Sequence, residues 1–459
     1  MYKKILMLFI AFVVFQSSIH VNAASNSWTA IKTNTPKTAI DINGVNNIIQ
    51  LNDGNLMIVG NQETGSYIYN HKTTVWSKFP GVNQKGLLYS PIQLKDGRVL
   101  AFTGSTVGLN KQLILQGEPI KRAEIYDFNT KKWKITTDMK AVRDFSNFSP
   151  NFSVTLLQDG RVLVAGGIQK DGLGEKSVEI YDPKTNQWTL QKSMSNEPTY
   201  GIKATLLDDG NVFFVVDNPY GTWTQIFNPY TNTWTKAQSI PVVGSNVCTL
   251  KSATGKTASF KPSIEEIISI ENSNILFLSD VGFYIYNYDS NSWRVLDYQP
   301  NKNQSRDHEY YKSLYLNNGK VLVNATSTTK KPTANYGYNT VVTSNKYWLF
   351  DFVKNTYREI PVAEKQIQPE LFLLPSGEII ALGNLDYEGR TGWSIDKMSK
   401  ISLSALNLFG NVRQISLTEL TTNTPSSNND ISELFDNGNQ KILIIQPNGD
   451  YSKLKEQFH

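Results

Sequence analysis

Only one cysteine, Cys248, and four histidines occur in 459 residues. A single thiol excludes a disulfide scaffold and any structural zinc site built from several thiolates. Charge is sparse and nearly balanced: 45 basic side chains face 40 acidic ones, and charged residues make up 19% of the chain. That excess is too mild to point to nucleic acid, and so little charge does not suit a long helical chain. EF-hand loops, zincin motifs and nucleophile elbows are missing as well. No metal site or cofactor is therefore expected. Past the first residues no run of about twenty apolar residues appears, so no integral membrane segment is expected after cleavage of the leader described next.

The chain is rich in aromatics, with 9 Trp, 22 Tyr and 21 Phe, and it has 30 glycines. Such a composition belongs to a packed chain, not a disordered one. Its first residues read as a targeting segment. Lys3 and Lys4 precede an apolar run over 5–15, and Val21 and Ala23 place small side chains at −3 and −1 of a cut after Ala23. This predicts a signal peptide over 1–23 and a secreted or periplasmic product whose remaining residues, 24–459, form one domain. Cys248 has no partner in the chain and is expected to be a free thiol.

Internal repetition decides the fold class. Asp159-Gly160 is followed by the apolar run 162–165, the doublet Gly166-Gly167, then Tyr181 and Trp188. The same order recurs from Asp53-Gly54 to Tyr69 and Trp76, from Asp96-Gly97 to Tyr126 and Trp133, and from Asp209-Gly210 to Phe227 and Trp234. It recurs again from Asn318-Gly319 to Phe350 and Tyr357, and in a degenerate copy from Asn272-Ser273 to Tyr286 and Trp293. In all six copies the two aromatics stand seven residues apart. Asp-Gly between apolar runs predicts a type I′ hairpin turn. The Tyr segment and the Trp segment read as a second hairpin. Four short antiparallel strands per unit make a propeller blade.

The Gly-Gly doublet and the Tyr-to-Trp spacing resemble the kelch repeats of β-propellers. The resemblance implies an all-β, single closed propeller of four-stranded kelch-like blades. A seventh unit starts at Leu371 and turns at Ser376-Gly377, with a fourth strand of its own expected near 414–417. A further hairpin is read over 432–445 and a third strand over 451–454. With the N-terminal strand at Trp28 added to these end pieces, eight blades are expected, closed by that strand. Seven blades with a C-terminal appendage is the alternative. Some exported kelch propellers act on sialic acids, and others, of the galactose oxidase type, bind copper. The copper site needs a Tyr–Cys crosslink and two histidines, for which no matching motif is present.

Aligning the inner strands on their turn places a polar residue seven positions earlier in each: Asn47, Ser90, Ser153, Lys203, Glu266, Lys312 and Glu370. A polar ring at the channel mouth is expected, with Lys203 beside Glu266 and Lys312 beside Glu370 able to pair across it. The connector containing Arg306, Asp307 and His308 is the densest run of reactive groups, and Arg143 lies in the equivalent connector three blades earlier. These residues are expected to share one rim and to bind a protein or glycan ligand. Long connectors at 105–122, 140–151, 240–263, 299–309 and 326–345 would line the same face. The alternative is a carbohydrate-active enzyme, a sugar epimerase or lyase, with Lys203, Glu266, Arg306 and His308 as its acid/base set.

Overall fold

The computed structural model describes residues 28–32, most of 47–406, and 413–414, 429–436 and 441–449. Within 47–406 it leaves out the connector segments 84–87, 104–107, 110–114, 117–120, 144–151, 170–173, 195–200, 241–247, 252–256, 297–306, 333–337, 362–365 and 387–391, and some shorter stretches. Among the described residues there is no α-helix, and so none long and apolar enough to cross a membrane.

Seven four-stranded antiparallel sheets follow one another as blades 1 to 7. Their innermost strands are Ile48–Gln50, Leu88–Gln93, Phe152–Leu156, Gly201–Leu206, Ile264–Ile270, Asp307–Tyr315 and Glu370–Leu373. Seven apolar clusters lie one between each neighbouring pair of blades, and one of them joins blade 7 back to blade 1 through Leu374, Ile380 and Leu382 against Leu56, Ile58 and Tyr69. The ring is therefore closed, and each sheet buries both faces. This explains the uninterrupted apolar second strands, such as Val162–Gly166, which are buried along their whole length.

The seven-residue aromatic spacing has a direct structural cause. In every one of the six copies the two aromatics are directly opposed across the third and fourth strands, as Tyr181 is to Trp188. Their rings lie 4.8–5.4 Å apart. Two residues before the second aromatic stands a residue in the left-handed region: Thr74, Lys131, Asn186, Asn232, Asn291 or Asn355. That residue closes the turn and fixes the register. Each aromatic pair contributes about 0.5–1.5 kcal/mol beyond its buried area.

In blades 1 to 4 the first turn differs from the type I′ expectation. Gly54, Gly97, Gly160 and Gly210 have positive φ, but the aspartates before them do not. Instead each aspartate accepts the backbone N–H two residues on, at 2.9–3.1 Å. The glycine alone supplies the left-handed step, as in the longer hairpin loops built around a type I turn. In the copy without glycine, Asn272 and Ser273 both take positive φ.

The blade count and the closure also need correcting. Trp28 does fill a blade's Trp site: it is buried, stacks at 4.8 Å on Tyr347 and packs among Leu322, Ile379 and Ile401. The blade is the seventh, however. Thr29–Ala30 pairs with Gly392–Ser402, opposite Lys400 and Ser399, and supplies the fourth strand. Residues 28–30 do not join the C-terminal hairpin. Among the described residues there is no eighth blade, and the fourth strand of the seventh comes from the N-terminus; 415–417 lie outside the described residues. Arg413–Gln414, Asn429–Asp436 and Lys441–Gly449 form a separate three-stranded sheet with the last strand in the middle. Adding these strands to the ring would break a closure that the N-terminal strand already completes.

Candidate functional site at the channel mouth

The aligned polar positions separate into two kinds. Asn47 is buried and donates through Nδ2 to the Val59 carbonyl at 3.0 Å, tying the ends of the first hairpin of blade 1 together. Ser90 is half-buried and has positive φ where the pairing of blade 2's inner strand slips between Tyr89 and Ile92. Ser153 is half-buried opposite Ala165. These three carry no charge into the channel.

The other four positions, on blades 4 to 7, form one electrostatic group. Lys312 Nζ lies 2.5 Å from Glu370 Oε1. Glu266 on the neighbouring blade accepts the Ser313 hydroxyl on Oε2 at 2.7 Å. Burial raises the Glu266 carboxyl to about 7, against the opposing pull of Lys312, the Ser313 hydrogen bond and Lys203, with Glu370 adding to the rise. Burial works against the Lys312 charge too, but Glu370 and Glu266 outweigh it and its pKa is raised. Lys203 is half-buried and registered opposite Val215. A carboxyl poised near neutrality between two ammonium groups is suited to hydrogen-bonding a ligand in either protonation state, or to moving a proton.

The channel group contains one partner that alignment did not indicate. Ser313 follows the aligned lysine, and nothing distinguishes it from other strand serines in the sequence.

Arg143 is not a rim residue. It is fully buried between blades 2 and 3, where its guanidinium donates to the Gly166 and Ser177 carbonyls and pairs with Glu179 at 3.1 Å. Burial lowers its pKa, and Glu179 opposes that. Glu179 also accepts the backbone N–H groups of Lys140 and Ala141 at 2.6 and 2.9 Å. The same position one blade earlier, Glu124, accepts Asn83 N and Nδ2 at 2.9 and 2.7 Å. A buried acid on the third strand thus anchors the arriving connector. The glycine doublet belongs to this anchor: a Cβ on Gly167, at φ +114, would come within 3.2 Å of Arg143 Cβ.

Arg306 lies outside the described residues. Asp307 and His308 are not in a connector but open the long inner strand of blade 6, opposite Thr329 and Thr328. The expected loop at 326–345 is likewise mostly strand, since Lys320–Pro332 and Tyr338–Asp351 pair well beyond the length of the other blades. The long connectors of blades 2 and 4 each contain a small hairpin, Gly108–Leu109 with Leu115–Gln116 and Cys248–Lys251 with Thr257–Phe260. Among the described residues no three His, Cys, Asp or Glu side chains gather as metal ligands would.

The family model of the Kelch motif matches residues 153–195, which is blade 3 with its glycine doublet. The chain is a β-propeller with a Kelch motif in its third blade, and it is similar to kelch-repeat proteins. Two relatives are F-box/kelch-repeat proteins of Arabidopsis thaliana. One is 23% identical over 38% of this chain and 42% of its own length, and the other is 29% identical over 24% and 26%. A galactose oxidase of Gibberella zeae is 30% identical over 19% of this chain and 12% of its own. The chain thus spans less than half the length of each of these relatives.

Proposed function

We propose that this kelch propeller is an exported binding module that takes a protein or glycan ligand at the mouth of its channel. The observation that supports the reading best is the group formed by Lys203, Glu266, Lys312 and Glu370. Four charges from four consecutive blades act on one another there, with Lys312 paired to Glu370 and Glu266 under the influence of both lysines. Export rests on the basic start, the apolar run and the small residues before Ala24. His308 and Asp307, at the start of blade 6's inner strand, would extend the surface.

The test is a panel of glycans and of exported proteins probed with the purified chain, followed by single alanine replacements at Lys203, Glu266 and His308. A binding module loses affinity by graded amounts, about tenfold per lost charged hydrogen bond. A second reading is favoured by the near-neutral Glu266 carboxyl: an enzyme acting on sugars, with Glu266 as acid or base. That reading requires turnover of a sugar substrate that falls steeply in Glu266→Gln while substrate binding persists. Binding partners indifferent to all these positions would sink both readings.

A further inference from the structure

The four charges of the channel are not equally committed. Lys312 is held by Glu370 at 2.5 Å. Glu266 uses Oε2 for Ser313. Lys203 makes no ion pair or hydrogen bond among the described residues, although it acts on Glu266 through space. A half-buried ammonium brings three donors and needs an acceptor.

Resting on the channel mouth as the binding site, we infer that the ligand group it receives is a carboxylate, held by Lys203 and taken up together with one proton that settles on Glu266. Charge counting leads there. Two lysines and two glutamates sum to zero, so a bound monoanion would leave a net negative charge in a site where Lys312 and Glu370 keep only about a quarter of their exposure. One carboxyl must take a proton from solvent. Glu370 is tied to Lys312, which leaves Glu266, whose second oxygen is uncommitted. Once protonated, Glu266 becomes a donor. One ligand oxygen then accepts from Lys203 and the other from the Glu266 O–H, a short charge-assisted bond. A dianion such as phosphate would need further cations, and among the described residues no guanidinium acts on Glu266. The groups facing Glu266 are Lys312 and Ser313 on blade 6, Glu370 on blade 7 and Lys203 on blade 4. Nearby, Tyr310 is raised by burial and by Glu265, so it stays neutral through this range.

The energetic sign follows from linkage. A bound anion raises the Glu266 carboxyl above its free value of about 7. Affinity is therefore strongest and flat at lower pH, and falls by up to about tenfold per pH unit above neutrality until the carboxyl ionises in the complex as well.

The experiment uses the full chain with three probes: sodium acetate, a short blocked peptide containing one glutamate, and the same peptide with glutamine. Binding is followed by carbonyl carbon NMR of the glutamate side chains, with Glu266 assigned through Glu266→Gln. Proton uptake is measured by calorimetry in buffers of different ionisation heat. The expected result is binding of acetate, the glutamate peptide or both, but not the glutamine peptide, with uptake approaching one proton per ligand at pH 8. Acetate alone identifies a free acid as the source; the peptide alone identifies an acidic side chain. Lys203→Gln should abolish binding with an unchanged melting temperature, and Lys203→Arg should retain it. Glu266→Gln should keep binding but lose the proton uptake and the pH dependence. The inference is overturned if Lys203→Gln binds as before, if affinity is flat with pH, if chloride competes as well as acetate, or if neither carboxylate binds. In that last case a partner from the panel that still depends on Glu266 or Lys312 leaves the channel-mouth reading standing, whereas a partner indifferent to both removes it too.

Discussion

Between blades 2 and 3 the side chains of Arg143 and Glu179 have no solvent exposure, whereas Lys312 and Glu370 in the channel keep 25% and 21% of theirs. The buried pair is enclosed by bonds to two carbonyls and two backbone N–H groups. The channel pair is bonded across blades 6 and 7 and keeps part of its surface open. Position along the repeat does not separate the two cases, because Arg143 and the channel residues all lie near the arrival of an inner strand. What separates them is whether the neighbouring blade closes over the charge. Where it does, the charge anchors a connector; where it does not, the charge remains available to a ligand.

The most severe way to test that contrast is to remove Arg143. Arg143→Ala leaves Glu179 as a buried carboxylate with its strongest partner gone. It should cost about 3–5 kcal/mol in denaturant unfolding. Arg143→Lys should rescue only part of this, because lysine cannot hold the Gly166 and Ser177 carbonyls and Glu179 with one planar fork. A loss under about 1 kcal/mol would mean that burial alone does not make this charge structural.

Apolar closure offers the next comparison. Trp28 joins the two ends of the ring without any charge, and it is 3% exposed against Tyr347 and Leu322. Trp28→Ala should cost about 3 kcal/mol by thermal or denaturant unfolding, and Trp28→Phe much less. Because Thr29–Ala30 is a two-residue strand, the indole is the main anchor of the closing segment. If Trp28→Ala melts like the parent, the ring is held shut by the contacts between blades 7 and 1 instead.

The fold was legible in the sequence because its signals are local. A left-handed residue two positions before an aromatic, and a glycine after an aspartate, repeat wherever a hairpin repeats. Closure was legible only in part. Trp28 announced a fourth strand, but its partner lies about 370 residues away at Ser399 and Lys400, and no local pattern names that partner. The C-terminal strands were equally good strands, and counting them produced an eighth blade. In the site, alignment brought together Lys203, Glu266, Lys312 and Glu370, because position within an inner strand fixes height along the channel. It failed for Arg143, since the path of a connector is set by what caps it, here Glu179, from a strand 36 residues on.

The mildest test bears on the open side of the contrast. Replacing Lys312 by methionine keeps the aliphatic stem and removes the ammonium between Glu370 and Glu266. A partly exposed pair contributes about 0–1 kcal/mol, so near pH 6 the variant should be at most slightly less stable than the parent. Above neutrality the two should diverge. The Glu266 carboxyl is already raised to about 7 in the folded protein, and Lys312 is the first of the groups holding it down. Without that lysine it rises further. A folded-state value above the unfolded one means that the native state holds the proton more tightly, so stability declines as pH rises between the two values and then levels off. In the parent this decline ends near 7, while in Lys312→Met it continues to higher pH. Melting temperatures measured from pH 5 to 9 should therefore show a gap that widens above 7 in the lysine variant and disappears when Glu266→Gln is added. A gap of constant size would mean that Lys312 answers only to Glu370 and that Glu266 is governed by its burial alone.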